Sequence, residues 1–187
     1  MSTYGTAVVI DVRPADASRV VAALDPASTF VDVPDGQWVR VTTYLADIEQ
    51  LDRVSELLAG AGLGRAVIAE DYDEYGALWV VLAATDGAVR TVHRRYVLNA
   101  DPGSPREVAL ALQGLDGQDP RRQDVAGLKA ATAAATLFEV EPGPMLRAEV
   151  DAERAFESIG VVAGPFPWWR ALGLAWPGPA AGRPVGA

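Results

Sequence analysis

Two periodicities alternate along residues 6–71, and their order constrains the fold more than any single motif. Residues 6–13 are largely β-branched and read as a strand. Pro14 suits the first turn of a helix, where its missing N–H costs nothing, and Ala17, Val20, Val21 and Leu24 then recur on one helical face. The runs Phe30–Val33 and Gln37–Leu45 flank Pro34-Asp35-Gly36, which is hairpin chemistry. Asp47 and Gln50 resemble a capping pair. They head an amphipathic helix carrying Ile48, Leu51, Val54 and Leu58, and Gly60, Gly62 and Gly64 stop it. A further strand surrounds Ala66–Ala69. The order is β-α-β-β-α-β, the ferredoxin-like plan: an antiparallel four-stranded sheet with both helices on one face.

A hairpin extends this α+β region. Ala77–Ala84 and Ala88–Leu98 flank Thr85-Asp86-Gly87, and Asp-Gly is a strong two-residue turn signal. With Asp86 and Gly87 as the loop, Trp79 is expected opposite Arg94 and Val80 opposite His93, with Arg90 and Arg94 on one face and Arg95 on the other. Beyond Asn99 the chain turns helical. Ser104-Pro105-Arg106-Glu107 is a capping box, a second helix starts at Asp119-Pro120 and runs through Ala130–Thr136, and a third is expected over Met145–Ile159. The expected organisation is an α+β sheet region over 1–99, a helical region packed on it over 100–160, and an aromatic Pro/Gly-rich segment over 161–187 that ends in a flexible tail.

Composition closes off whole classes of function. The chain has 187 residues and a formal net charge of −9, which makes it a poor nucleic-acid binder, because phosphate affinity comes mainly from Lys and Arg. It has no cysteine and one histidine, so disulfides, thiol nucleophiles, zinc ribbons and two-histidine sites are excluded. The N-terminus lacks the basic region of a signal peptide, and the longest apolar run, Ala77–Ala84, is well short of the ~18 residues of a membrane span. The expected location is the cytoplasm. No cofactor and no metal are expected.

Four constellations remain. Glu70-Asp71-Tyr72-Asp73-Glu74-Tyr75 packs four carboxylates and two tyrosines between a strand and the hairpin. It reads as a solvated connection, as a docking surface for a basic partner, since carboxylates steer cationic proteins and tyrosines supply rigid contact area, or as a divalent-cation site, for which the glycine-punctuated spacing of an EF-hand loop is absent. Trp168, Trp169 and Trp176 crowd the C-terminal segment. They either cover an apolar face of the body or anchor a partner. His93 with Arg94 and Tyr96 is the candidate contact set for an anionic ligand, in a cleft where His93 is the only imidazole base. The arginines Arg90, Arg94 and Arg95 could hold an anion by guanidinium forks, but no glycine-rich phosphate loop accompanies them. No Gly-x-Ser-x-Gly elbow is present to supply a nucleophile.

Together these features point to a non-enzymatic, protein-binding or inhibitory protein. An immunity (antitoxin-like) protein neutralising a toxin domain in a bacterial cell fits the size and charge. The alternative is a small-molecule (anion) binding protein or enzyme with its cleft near His93. A homo-oligomer joined through the aromatic C-terminus is a third arrangement.

Overall fold

Strand side chains point alternately to opposite faces, and in the central strands of this protein both sets are apolar, so each face of the sheet recruits its own helices. A computed structural model describes residues 5–24, 28–34, 36–45, 50–71, 76–98, 125–151, 166–175 and 182–185. The elements in order are β1 (Gly5–Val12), α1 (Pro14–Ala22), β2 (Thr29–Asp32), β3 (Val39–Leu45), α2 (Gln50–Ala61), β4 (Gly64–Asp71), β5 (Gly76–Thr85), β6 (Ala88–Leu98), α3 (Leu128–Leu137), α4 (Pro142–Val150), α5 (Phe166–Ala171) and β7 (Arg183–Pro184). The protein is mixed α+β. Its strands form one antiparallel sheet in the order β6-β5-β4-β1-β3-β2-β7.

The first face carries Val8, Ile10 and Val12 of β1, Val39 and Val41 of β3, Ala66 and Ile68 of β4, and Leu78, Val80 and Leu82 of β5. Val20 of α1, with Leu24 just beyond it, and Val54 and Leu58 of α2 close this layer. These are the helical stripes that the 3.6-residue period marks in the sequence. The second face carries the alternate residues Ala7, Val9, Val67, Ala69, Trp79, Val81 and Ala83. It is covered by Ala131, Ala134 and Ala135 of α3, by Met145 and Ala148 of α4, and by Trp168, Trp169 and Leu172 in and after α5. The alanines keep α3 close to the sheet and leave volume for three indoles.

Three details differ from expectation. The helix through Ala130–Thr136 starts at Leu128 and not at Asp119-Pro120, because residues 125–127 are not helical and Gly127 has a φ of +89°. Residues 183–184, placed in a flexible tail by composition, pair with β2 as a seventh strand (Phe30↔Pro184, Val31↔Arg183), and Val185 N–H donates to the Thr29 carbonyl. The unpaired edge of β2 gives those backbone groups partners. The helix drawn over Met145–Ile159 begins earlier, at Pro142, because proline suits a first turn. It ends at Val150, with Asp151 as its C-cap, where the expected helix ran on to Ile159; residues 152–159, the helix after Ser104 and the Asp47 cap lie outside the described residues.

Candidate functional site

Near its turn, the β5–β6 hairpin keeps the expected register: Thr85 faces Ala88, Ala83 faces Arg90 and Leu82 faces Thr91. The register then slips by one, so that Val81 faces His93, Val80 faces Arg94 and Trp79 faces Arg95. Val92 is the extra residue of a β-bulge. The bulge corrects two expectations at once. Trp79 lies opposite Arg95 instead of Arg94, and Val80 lies opposite Arg94 instead of His93. It also separates Arg90, which shares the second face with Ala83, from Arg94, which is paired with first-face Val80. His93 and Arg95 are delivered to the second face instead.

There His93 is fully buried, and both of its ring nitrogens are engaged. The Trp79 indole Nε1–H donates to His93 Nδ1 at 2.9 Å. An indole nitrogen is only a donor, so Nδ1 accepts and the imidazole proton sits on Nε2. Nε2–H then donates to Glu149 Oε2 at 3.0 Å. The other carboxylate oxygen of Glu149 accepts the Gly127 amide N–H at 2.6 Å, and the Arg95 guanidinium stands 3.9 Å from it. Gly127 has a φ of +89°, a conformation that costs glycine little and turns its amide toward Glu149 at the head of α3. Burial alone would raise the Glu149 pKa. The His93 hydrogen bond, the Gly127 amide and the Arg95 charge outweigh burial and hold it down at about 2. Trp168 stacks on Trp79 with centroids 6.1 Å apart, and Trp169 meets Trp79 edge-on at the same distance.

A second polar cluster lies on the same face. Asp11, fully buried, accepts both Nε (2.7 Å) and an NH2 nitrogen (2.8 Å) of Arg40, and also Arg65 Nε at 2.9 Å. Arg65 donates to the Leu137 carbonyl as well, and its guanidinium lies 4.9 Å from the Trp38 ring centre and 4.7 Å from that of Phe138. Arg13 lies 4.6 Å from the Trp38 ring centre. The cluster ties β1, β3 and β4 to the end of α3. Both clusters act as struts between layers.

Of the candidate ligand set, His93 is enclosed in the second core, and Arg94, on the adjacent strand position, belongs to the opposite face. The Arg94 backbone N–H donates to the Val125 carbonyl at 2.6 Å. The Tyr96 side chain lies outside the described residues. His93 and Arg94 therefore do not converge on one cleft, because neighbouring strand residues point to opposite sides. Trp168 and Trp169 are 0% and 1% exposed, so they take the covering role and offer a partner no surface in this state. Trp176, residues Tyr72–Tyr75 and the side chains of Glu70 and Asp71 lie outside the described residues. The backbones of Glu70 and Asp71 end β4, where Asp71 faces Ala77 of β5.

Sequence reasoning missed Glu149, Asp11, Arg40, Arg65 and Trp38. Asp11 had a visible signal: a carboxylate inside an apolar β-branched run. Its partners are far away in the chain and carried none. Among the described residues no group of three or more His, Asp or Glu side chains is arranged to hold a metal ion, and no helix is long and apolar enough to cross a membrane. No protein-family model, curated protein or solved structure matches this chain.

Proposed function

We propose that this chain is a protein-binding, inhibitory protein of the immunity (antitoxin-like) kind, which neutralises a basic toxin domain in the bacterial cytoplasm. The observation that carries the reading is the acidic segment Glu70–Tyr75. Four carboxylates and two tyrosines fall on the last two residues of β4, Glu70 and Asp71, and on the connection 72–75 that leads into β5, two strands paired along eight positions. A net charge of −9 adds long-range attraction for a cationic surface. The engagement of both His93 nitrogens inside the core favours this reading over a catalytic or anion-binding cleft at that residue. Docking centres on Glu70, Asp71, Tyr72, Asp73, Glu74 and Tyr75, with Trp176 as a flanking contact. The N-terminal unit is read as ferredoxin-like, supported by the antiparallel order β4-β1-β3-β2 of its strands.

The test uses the product of the gene neighbouring this one. Co-expression of the chain should restore growth to cells producing that protein, and the purified pair should associate at a rate that falls with salt. Changing Asp71→Asn, Asp73→Asn and Glu74→Gln together should slow association about tenfold at low salt. Growth arrest that persists in the presence of the chain would overturn the reading, as would an association rate unmoved by the triple change.

A further inference from the structure

His93 is the one histidine of the chain, and both of its ring nitrogens hold roles that a second proton would upset. Nδ1 accepts the Trp79 indole N–H at 2.9 Å, and Nε2–H donates to Glu149 at 3.0 Å. An imidazolium is a donor at both nitrogens, and an indole nitrogen can only donate. Turning the ring over does not help, because an N–H then still faces the indole. A second proton on His93 and the bond from Trp79 therefore exclude one another. Glu149 of α4 favours the imidazolium, and Arg95 of β6, 3.9 Å from its other carboxylate oxygen, offsets part of that attraction. Val81 of β5, across the strands, and Trp168 of α5, 6.2 Å away between ring centres, bring no charge to the ring. Arg94 belongs to the opposite face, and Lys129 of α3, Arg147 of α4 and Arg170 of α5 are exposed.

Trp79 also seats α5. Its indole is fully buried, Trp168 stacks on it and Trp169 meets it edge-on, each with ring centres 6.1 Å away. Of the described side chains of this six-residue helix, Trp168 and Trp169 are the buried ones. A shift of the Trp79 indole thus removes the surface on which both rest. We propose that His93 is an acid-sensitive latch on α5. A proton taken up from solvent onto Nδ1 breaks the bond from Trp79, the indole shifts, and α5 leaves the second face with Trp168 and Trp169. In the released state the imidazolium keeps Glu149 as its partner. The latch does not rest on the docking role of Glu70–Tyr75.

Amide hydrogen exchange on the full chain at two pH values, about 7.5 and about 5.5, tests the latch, once rates are corrected for the intrinsic pH dependence of exchange. Histidine is the side-chain type that titrates in this window, and Glu149, with its pKa at about 2, stays ionised across it. An imidazole in water titrates at about 6.5, so the released population should rise about tenfold between the two values. The amides of Leu172 and Leu174, bonded to the Trp168 and Trp169 carbonyls, should report that rise. The Gly62 amide, bonded to the Leu58 carbonyl behind the first face, should not change. In His93→Gln the side-chain amide accepts from Trp79 and donates to Glu149 without titrating, so the response should vanish. Trp79→Phe removes the opposing donor, and the response should vanish there too, which keeps the test decisive if the glutamine variant does not fold. Unchanged protection of Leu172 and Leu174 in the natural chain would overturn the latch. So would a tenfold rise that persists in either variant, or one that Gly62 shares, since that reports unfolding of the whole chain.

Discussion

The two faces of the sheet are built by different means. The α1/α2 face is closed by aliphatic residues drawn from helices that neighbour their strands in the chain, such as Val20, Val54 and Leu58. The α3–α5 face is closed by elements from the C-terminal third and combines stacked indoles with two buried polar struts, Trp79–His93–Glu149 and Asp11–Arg40–Arg65. Apolar packing is non-directional and tolerates sliding, whereas a hydrogen-bonded buried charge has one geometry. The second face therefore fixes where distant segments dock, at the cost of sensitivity to the loss of a single partner.

The sharpest way to break this comparison is Trp79→Ala, which removes the indole at the centre of the second core and the donor to His93. It should cost about 4 kcal/mol of unfolding free energy in a urea titration. Trp79→Phe, which keeps most of the ring volume, should cost about half as much. Equal losses would show that the lost donor to His93, and not ring packing, dominates at that position. Asp11→Ala strands the guanidinium of Arg65 in the core and should cost about 3–4 kcal/mol. Its effect should be partly relieved by Arg65→Met in the same chain, a coupling that a double-mutant cycle measures.

Leu58→Ala probes the first face and should cost about 3 kcal/mol through its cavity. The two faces are separated by the sheet, about 10 Å from layer to layer, so Leu58→Ala and Trp79→Ala should add to within about 0.5 kcal/mol. A larger deviation in equilibrium unfolding would mean that the cores are coupled through the strands. The smallest expected effect is the pH response. The Glu149 pKa is lowered on folding to about 2, so its contribution is fully present above the unfolded carboxylate range and is lost as pH falls from about 5 toward 2. Glu149→Gln should flatten the stability curve across that window and leave its slope between pH 6 and 8 unchanged. An unaltered acid limb would remove Glu149 from the strut.

Much of the first face was legible in the sequence. Val20, Val54 and Leu58 stand at helical spacing, and the Asp86-Gly87 turn places β5 beside β6 with the near-turn pairs as expected. The second face was legible only in outline. The tryptophan-rich segment announced apolar surface in need of cover, but Glu149 sits 56 residues from His93, and Arg65 sits 54 residues from Asp11. No local period links residues so far apart.

Local physics, acting over a few residues, was enough for the sequence to determine the α+β class, the turn at Asp86-Gly87, the helical stripes of α1 and α2 and the concentration of acid at Glu70–Glu74. Tertiary structure decided which face His93 occupies. A single extra residue, Val92, inverts the alternation of β6 and carries the imidazole into the core with Trp79. It also decided that residues 183–184 become a strand. Backbone pairing is the same for nearly every residue type, so composition cannot announce it; the unpaired edge of β2 supplied the partner.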